Sequence, residues 1–233
     1  MTRERDGKLL IVPVGWHRGP FRQKLGIPRQ SGLHRATSEI ELDPERVGPD
    51  SVRGLDGVSH LWLSFGFSKH DPAKAKDLVR PPRLGGQTQL GVFATRSPYR
   101  HNGLGLSLVE LVSVDFPIVR VRGADLLDGT PIYDIKPYLP WAESKPEARC
   151  DWATKAPPPL RAELSDEALE ALAPRDDAPA LRQLLASSLV VDPRPAYDRD
   201  DTGRVFKTRL GPMDVEFYID GERLVVTKLS FDP

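Results

Sequence analysis

The sequence predicts a mainly β protein, with an antiparallel sheet that closes into a barrel or sandwich and a small α+β unit after it. Short apolar segments, several of them alternating with polar residues, recur at close spacing through the first two thirds of the chain and are separated by turn residues. The 23 prolines favour many turns and short elements over long helices. A doubly wound parallel sheet is disfavoured because no long helical segment interrupts these strands.

The first strands are expected at residues 9–14, where Pro13 indicates an edge or a bulge, and at residues 38–42. Residues 60–67 alternate most clearly, with leucine and phenylalanine on one face and His60 on the other. His60 could face a cavity, but a histidine in the core or between sheets is the more common arrangement. Further strands are expected at 88–95, 106–114, 118–122 and 132–135.

A linker is expected at residues 143–159, which end in three consecutive prolines. We therefore expect one domain at residues 1–150 and a second at 160–233. In the second, Ser165 and Asp177 are placed to cap two helices, the later one with a leucine stripe typical of core packing. The segment DPRPAY, residues 192–197, should end that helix, and three strands should follow at 204–210, 215–219 and 224–229, the last two joined by an Asp-Gly turn.

Charge is unevenly distributed although the formal net charge is zero. Residues 7–38 and 78–109 contain no Asp or Glu but several Arg and Lys, whereas acids concentrate at residues 163–177. The two basic tracts could form one positive face that binds nucleic acid, or two separate solvated faces. The start of the chain lacks a signal-peptide core and no segment reaches membrane-span length, which favours a cytoplasmic protein. A single Cys150 and the absence of zinc-type spacing predict neither a disulfide nor a metal site.

A dense polar loop lies within residues 91–107, GVFATRSPYRHNGLGLS, between two apolar segments. Arginine forks there suit phosphate or carboxylate, and Asn102 can both donate to and accept from a heterocycle. The same loop could also be no more than a solvated turn. A second polar segment, residues 123–140, projects Asp134, Lys136 and Tyr138 from one face of a strand, which could line a pocket or form the wet face of an edge strand.

Familiar nucleotide-binding and catalytic motifs are missing from the sequence. The segment GLGLSL at residues 103–108 lacks the third glycine of a dinucleotide fingerprint and precedes a strand instead of a helix. A phosphate-loop lysine motif, a metalloprotease helix and a nucleophile-elbow serine are also absent. A conventional Rossmann methyltransferase therefore has no support.

Five motifs in order strongly resemble the TrmO (TsaA-like) family. They are GIPRQSGL from residue 26, GVSHLWLSF from residue 57, RPPRLGG from residue 80, the loop beginning at residue 91, and DLLDGTPIYDIKPYLPWAE from residue 125. The resemblance implies an S-adenosylmethionine-dependent tRNA methyltransferase on a β-barrel, with an extra C-terminal domain of the kind found in bacterial members. The substrate implied is N6-threonylcarbamoyladenosine next to the anticodon, methylated on N6 by a homodimer whose cofactor lies near the subunit boundary.

The resemblance also implies roles for residues at the motif positions. Cofactor contacts would come from Gln30, Ser31, Gly32, Phe67, Ser68, Arg96, Leu106, Asp125, Leu126, Leu127 and Asp128. Two departures from the family pattern stand out. His101 and Gly103 replace two prolines, which should make the loop less rigid, and Ser68 and Lys69 stand where relatives often have histidine or glutamine.

Methyl transfer needs the substrate nitrogen in a near-attack geometry and an acceptor for its proton. We expect Asn102, Lys136 and Arg100 to donate to the carbamoyl oxygen, and Asp134 and Tyr138 to orient the base or proton, with His60 and His101 as less favoured alternatives. Arg22, Lys24, Arg29, Arg100 and His101 are the expected tRNA contacts. A non-catalytic module that holds S-adenosylmethionine or RNA as a sensor or adaptor remains the competing interpretation.

Overall fold

The computed structural model of the chain describes residues 9–155, 158–189, 191–194 and 203–231. In chain order the strands are β1 (Gly15–Arg18), β2 (Thr37–Leu42), β3 (His60–Gly66), β4 (Leu78–Val79), β5 (Leu90–Gly91), β6 (Leu104–Asp115), β7 (Ile118–Arg122), β8 (Pro131–Pro137), β9 (Arg161–Leu164), β10 (Phe206–Leu210), β11 (Met213–Asp220) and β12 (Arg223–Phe231). The α-helices are α1 (Pro140–Glu143), α2 (Asp166–Leu172) and α3 (Ala178–Leu189).

Six strands form a closed antiparallel barrel in the order β1-β2-β7-β6-β3-β8. The barrel closes where β1 pairs with β8, with Gly15 opposite Ile132. Alternate residues point inward, so that Ile40, Leu61, Leu63 and Val121 are fully buried in one apolar cluster. The structure therefore confirms the predicted mainly β, non-Rossmann barrel.

The C-terminal unit is a four-stranded sheet in the order β10-β11-β12-β9, covered by α2 and α3. Its core is separate from that of the barrel and contains the leucine stripe of α3. Ser165 caps α2, as expected, because its hydroxyl accepts from the backbone N–H of Ala168 at 3.2 Å. The expected hairpin joins β11 to β12, with Gly221 at φ +57°.

Several expected elements differ in the structure. The first strand lies at Gly15–Arg18 instead of residues 9–14, and barrel pairing begins only after Pro13, where Val14 N–H donates to Ile132 O at 2.8 Å. The strand expected at 88–95 is reduced to Leu90–Gly91, because Val92–Ala94 form a 3-10 turn. Neither β9, which runs parallel to β12, nor α1 was expected. Residues 195–197 of the DPRPAY segment lie outside the described residues, as do positions 156–157 of the expected linker.

Candidate active site

Residues 30–36 lie along the chain segment that follows β7. The backbone N–H of Gly32 donates to Gly123 O at 2.9 Å, and that of Gly123 donates to Ala36 O at 3.1 Å. A Cβ on Gly123 would stand 3.2 Å from the Gly32 backbone, so a side chain there would crowd this approach. These contacts bring two polar segments together that are about 90 residues apart in the sequence.

Asp125 is the half-buried carboxylate at this junction. Burial raises its pKa above the ordinary value, which a hydrogen bond from the Ser107 hydroxyl, the charge of Arg96 and a backbone hydrogen bond from Ser31 oppose. Ser107 Oγ lies 2.6 Å from Asp125 Oδ1. Because Ser107 pairs with the core residue Leu63 and is 2% exposed, it points into the end of the barrel.

Arg96 connects the polar loop after β5 to the same junction. Its guanidinium donates to Gln30 Oε1 at 2.5 Å, and the Gln30 amide donates in turn to the carbonyl of Arg29. Arg96 is exposed, so its remaining donors face solvent. The two basic tracts therefore meet at one point, next to Asp125.

Arg100 braces the polar loop from within. Its guanidinium donates to the carbonyls of Val92, at 3.2 Å, and Thr95, at 2.8 Å. The Thr95 hydroxyl, 8% exposed, donates to the same Val92 carbonyl at 2.9 Å. The 3-10 turn that replaces the expected strand is thus stabilised by side chains of the loop itself. These contacts occupy donors of Arg100 that the sequence had suggested for substrate.

The two positions that depart from the family pattern lie at the tip of this loop. His101 Nε2 is 3.1 Å from Asp77 Oδ1, and its ring lies near Phe93. Gly103 has φ +59°, a conformation that proline cannot adopt and that favours glycine. Asn102, between them, is exposed. The loop therefore turns by a different backbone conformation from the one that prolines would impose.

Asp128 faces a different cleft from the one that Asp125 faces. Its carboxylate accepts from the backbone N–H of Gly19 at 3.1 Å and from the guanidinium of Arg22. That cleft is also lined by Arg18 and Arg120. Asp128 is therefore linked to the basic tract but not, in one protomer, to Arg96.

The remaining expected tRNA contacts lie along the same tract. Lys24 is exposed, and its ammonium donates to the carbonyl of Lys69 at 3.3 Å. Arg29 is half-buried and donates to the carbonyl of Arg194 at 2.6 Å. Arg29 thus contacts the C-terminal unit, whereas Lys24 presents its charge to solvent.

The expected catalytic residues Asp134 and Lys136 lie on the outer face of the barrel in β8, and Tyr138 follows just after that strand. Lys136 donates to the carboxylate of Asp134, two residues earlier on the same face, and Tyr138 packs edge-on against Trp62 with ring centroids 6.2 Å apart. Leu106, 56% exposed, shares this face, since it pairs with Ser64, which pairs with Asp134. Leu106 and Ser107 are consecutive in β6, so their side chains point to opposite sides of the sheet.

Other expected cofactor contacts are distributed around the barrel. Leu126, 2% exposed, belongs to the barrel core, so only its backbone is available to a ligand. Phe67 packs edge-on against Phe65, and its N–H donates to Gly103 O at 2.8 Å. Ser68 is exposed, and Leu127 is half-buried.

Three buried polar side chains of the site were not identified from the sequence. Ser107 anchors Asp125, and the His34 and His17 rings bond to the carbonyls of Ala124, at 3.1 Å, and Leu127, at 3.0 Å. Because His34 Nδ1 also accepts from the N–H of Ala36, Nε2 must carry its proton. Burial lowers the pKa of both histidines, that of His34 to about 4. A sequence signal existed for Ser107 alone, as a polar residue at an inward position of an alternating strand.

The residues at the junction fit an amino-acid-bearing cofactor. Arg96 offers a fork for a carboxylate, Gln30 an amide, and Asp125 an acceptor for a charged amine. A Cβ built on Gly32 meets nothing within 4 Å, so the junction is open to a ligand on that side.

Among residues 9–155, 158–189, 191–194 and 203–231, no group of three or more His, Cys, Asp or Glu side chains could hold a metal ion. None of the described helices is long and apolar enough to span a membrane.

Family comparisons match both parts of the chain. The model of the tRNA-methyltransferase O N-terminal domain matches residues 16–144, and that of the TrmO C-terminal domain matches residues 157–232. A tRNA (adenine(37)-N6)-methyltransferase of Escherichia coli is 40% identical over 214 residues, 88% of this chain and 91% of that protein. A Pseudomonas aeruginosa protein named as a candidate S-adenosylmethionine-dependent methyltransferase, RcsF, is 40% identical over 89% of this chain and 91% of that one. The crystal structure of TrmO from Pseudomonas aeruginosa superposes with a TM-score of 0.78 at 32% identity, covering 96% of this chain and 98% of that one.

Proposed function

Because this chain belongs to the tRNA-methyltransferase O family, we propose that it methylates the N6 nitrogen of adenosine 37 in tRNA with S-adenosylmethionine as donor. The finer substrate in this proposal is N6-threonylcarbamoyladenosine, the modified base next to the anticodon. A cytoplasmic location belongs to the same proposal.

One observation carries the proposal: three motif segments converge where Arg96 bonds to Gln30 beside Asp125. The segments are separate in the sequence and each belongs to a different family motif. A guanidinium, an amide and a half-buried carboxylate in one junction can together recognise the charged amino-acid end of the cofactor. Gln30, Ser31, Gly32, Arg96 and Asp125 are therefore the proposed cofactor contacts within one protomer.

When bound, S-adenosylmethionine supplies a methyl group on a positively charged sulfur. The protein must hold the substrate nitrogen in line with that group, and positioning of this kind contributes on the order of 7–11 kcal/mol in favourable cases. The nitrogen also carries a hydrogen, and its lone pair is delocalised into the purine and the carbamoyl group. A proton acceptor and donors to the carbamoyl oxygen are therefore required.

We assign the donors to Asn102 and Lys136 and the orientation of the departing proton to Asp134 and Tyr138. Lys136 is 65% exposed at its side chain and already bonded to Asp134, so the pair can donate and accept at one place. Asn102 is exposed at the loop tip and can reach an incoming base.

A second copy of the chain is the proposed partner at the outer face of the barrel. Leu104 and Leu106 are 42% and 56% exposed there, beside the Asp134 and Lys136 pair. Exposed aliphatic side chains adjoining functional groups favour an interface. Since Asp125 and Lys136 lie on opposite sides of the barrel wall, a partner subunit could bring the two groups of residues into one site.

The proposed dimer is tested by measuring the molar mass of the protein by light scattering as it elutes from a size-exclusion column. Leu106→Glu should convert a dimer to a monomer and abolish methylation, whereas Val205→Glu, at an exposed apolar residue of the C-terminal unit, should do neither. A wild-type protein that is monomeric at the concentrations where it is active would overturn this part of the proposal.

The methylation is tested with purified protein, isotopically labelled S-adenosylmethionine and tRNA that carries N6-threonylcarbamoyladenosine. Mass spectrometry of the digested nucleosides should show one added methyl group on that base alone. The matched substrate is the same tRNA with unmodified adenosine, which should remain unchanged. If unmodified adenosine is methylated equally well, the finer substrate is wrong while the methyltransferase activity stands.

The same assay decides against the sensor or adaptor alternative. Calorimetry should show that the protein binds S-adenosylmethionine, and nucleoside analysis should show turnover. Binding without any added methyl group on either tRNA would establish the adaptor in place of the enzyme.

A further inference from the structure

Residues 20–29, termed the basic loop here, belong to the barrel domain by sequence but pack their apolar side chains into the C-terminal unit. Phe21 is fully buried in the core formed by Leu210, Met213 and Phe217. Leu25 and Ile27 also pack against that core. The apolar side chains of the basic loop therefore pack into the core of the C-terminal unit.

The backbone of the basic loop is also held by the C-terminal sheet. Phe21 pairs with Leu210 in an isolated antiparallel bridge, and Gly211 N–H donates to the carbonyl of Pro20 at 2.6 Å. The Thr208 hydroxyl, buried in β10, donates to the carbonyl of Leu25. These bonds fix both the start and the middle of the loop.

Gly26 shows how closely the two parts fit. It has φ +95°, and a Cβ there would lie 3.3 Å from both Thr208 Oγ1 and a methyl group of Leu210. The basic loop therefore lies directly on β10 at this point, with little room for a side chain.

The other edge of the basic loop leads into the candidate active site through Gln30 and into the neighbouring cleft through Arg22. Arg22 bonds to Asp128, and Gln30, one residue beyond the loop, bonds to Arg96. Irregular segments of this length have a large conformational entropy unless packing restrains them. We infer that the C-terminal unit positions the cofactor site, with Phe21 and Thr208 as positioning residues that hold Gln30 and Ser31 beside Arg96 and Asp125. This inference rests on the proposed function for the identity of the ligand, S-adenosylmethionine.

The test uses the full chain with Thr208→Val, which removes the hydroxyl and keeps the shape. The Kd and KM for S-adenosylmethionine should rise roughly tenfold, while kcat at saturating cofactor changes less than twofold, because the reacting groups are untouched. Thr208→Ser retains the hydroxyl and should restore the wild-type values. Phe21→Leu, which stays apolar, should raise the Kd in the same direction.

Thr227→Val is the matched control. Its hydroxyl donates to the carbonyl of Glu216 at 3.2 Å within the same sheet, away from the basic loop. It should lower thermal stability about as much as Thr208→Val without changing the Kd. Equal Kd values for Thr208→Val, Thr227→Val and wild type would overturn the inference.

Amide hydrogen exchange in the cofactor-free protein separates this inference from the proposed function. Thr208→Val and Phe21→Leu should speed exchange at residues 20–31 and leave the barrel strands unchanged. If wild type binds no S-adenosylmethionine, the proposed function fails, and exchange still shows whether the C-terminal unit holds the loop. Unchanged exchange at residues 20–31 in both variants would refute the positioning role whatever the ligand.

Discussion

Ser107 Oγ donates to Asp125 Oδ1 across 2.6 Å and joins the inner face of β6 to the segment after β7. Burial raises the pKa of Asp125, and this hydrogen bond is the main effect that opposes the rise. The serine therefore helps to keep the carboxylate ionised where a cationic ligand is proposed to bind.

Ser107→Ala should raise the pKa of Asp125 further and weaken S-adenosylmethionine binding near neutral pH, by about tenfold for one lost charge-assisted hydrogen bond. When the folded-state pKa of a carboxyl is raised, the free energy of unfolding of the protein falls as the pH rises through that pKa. Above that pKa, the Ser107→Ala protein should therefore be less stable than wild type. Carbon-13 NMR titration of Asp125 and calorimetry at several pH values measure both effects. Ser113→Ala, at an exposed position of β6, is the control. An unchanged Asp125 titration would contradict the role of Ser107.

Arg96→Lys should weaken S-adenosylmethionine binding by roughly tenfold, because a lysine cannot bond to Gln30 and a ligand carboxylate in fork geometry. Since Arg96 is exposed, the free energy of unfolding should change by less than about 0.5 kcal/mol. Calorimetry and urea unfolding are the measurements, with Arg53→Lys on the distant turn as control. A full-affinity Arg96→Lys protein would remove this residue from the cofactor site.

Lys136→Ala and Asn102→Ala should each lower the single-turnover rate about 100-fold, the typical effect of removing one donor that stabilises developing charge. Both side chains are exposed, so folding and S-adenosylmethionine affinity should remain near wild type. Lys145→Ala, another exposed lysine, serves as control. Wild-type rates in folded variants with unchanged tRNA affinity would show that the assigned donors are wrong.

The affinity for tRNA should fall as salt concentration rises, because exposed cations release counterions from the RNA backbone. Lys24→Gln should lower the slope of log affinity against log salt by about one and weaken binding to all tRNAs alike. Lys24 contacts only a backbone carbonyl among the contacts described, so its charge is available to a phosphate. Fluorescence anisotropy at several salt concentrations measures the slope, and Lys228→Gln on the C-terminal sheet should leave it unchanged. Salt-independent affinity would rule out phosphate contacts by the basic tracts.

The protein should lose stability as the pH falls from 6.5 toward 4. Burial lowers the pKa of His34 to about 4, so the unfolded chain binds the proton more readily in that window. The loss from His34 amounts to at most about 3 kcal/mol. Burial also lowers the pKa of nearby His17, which acts in the same direction. The hydrogen bond to the Leu127 carbonyl and the charge of Asp128 oppose the lowering at His17.

His34→Gln should be less stable than wild type at pH 7 and lose less stability on acidification. Urea unfolding at pH 7, 5.5 and 4.5 measures this difference. Ser113→Ala, at an exposed position of β6 with no titrating side chain, should keep the wild-type pH dependence. Parallel curves for wild type and His34→Gln would show that His34 is not the group responsible.

Strands with clear alternation were predicted well from sequence, because side-chain alternation is a local property. Residues 118–122 form a strand with the predicted bounds, and 38–42 and 60–67 differ by one residue. The prediction of the first strand was wrong, because its apolar residues precede Pro13 whereas pairing within the barrel follows the proline. The segment 88–95 was also wrong, because Arg100 and Thr95 bond to Val92 O and favour a turn over a strand.

The sequence by itself determined the barrel class, the hairpin at Gly221 and the polar segments that carry the family motifs, because these depend on local periodicity, turn chemistry and residue identity. Only the tertiary structure decided which polar residues meet. Gln30 reaches Arg96 across 66 positions, and Asp125 turns toward Ser107 while Asp128 turns toward Arg22. It also placed Phe21 in the C-terminal core. Such contacts depend on strand pairing and burial between distant segments, and no local pattern in the chain encodes them.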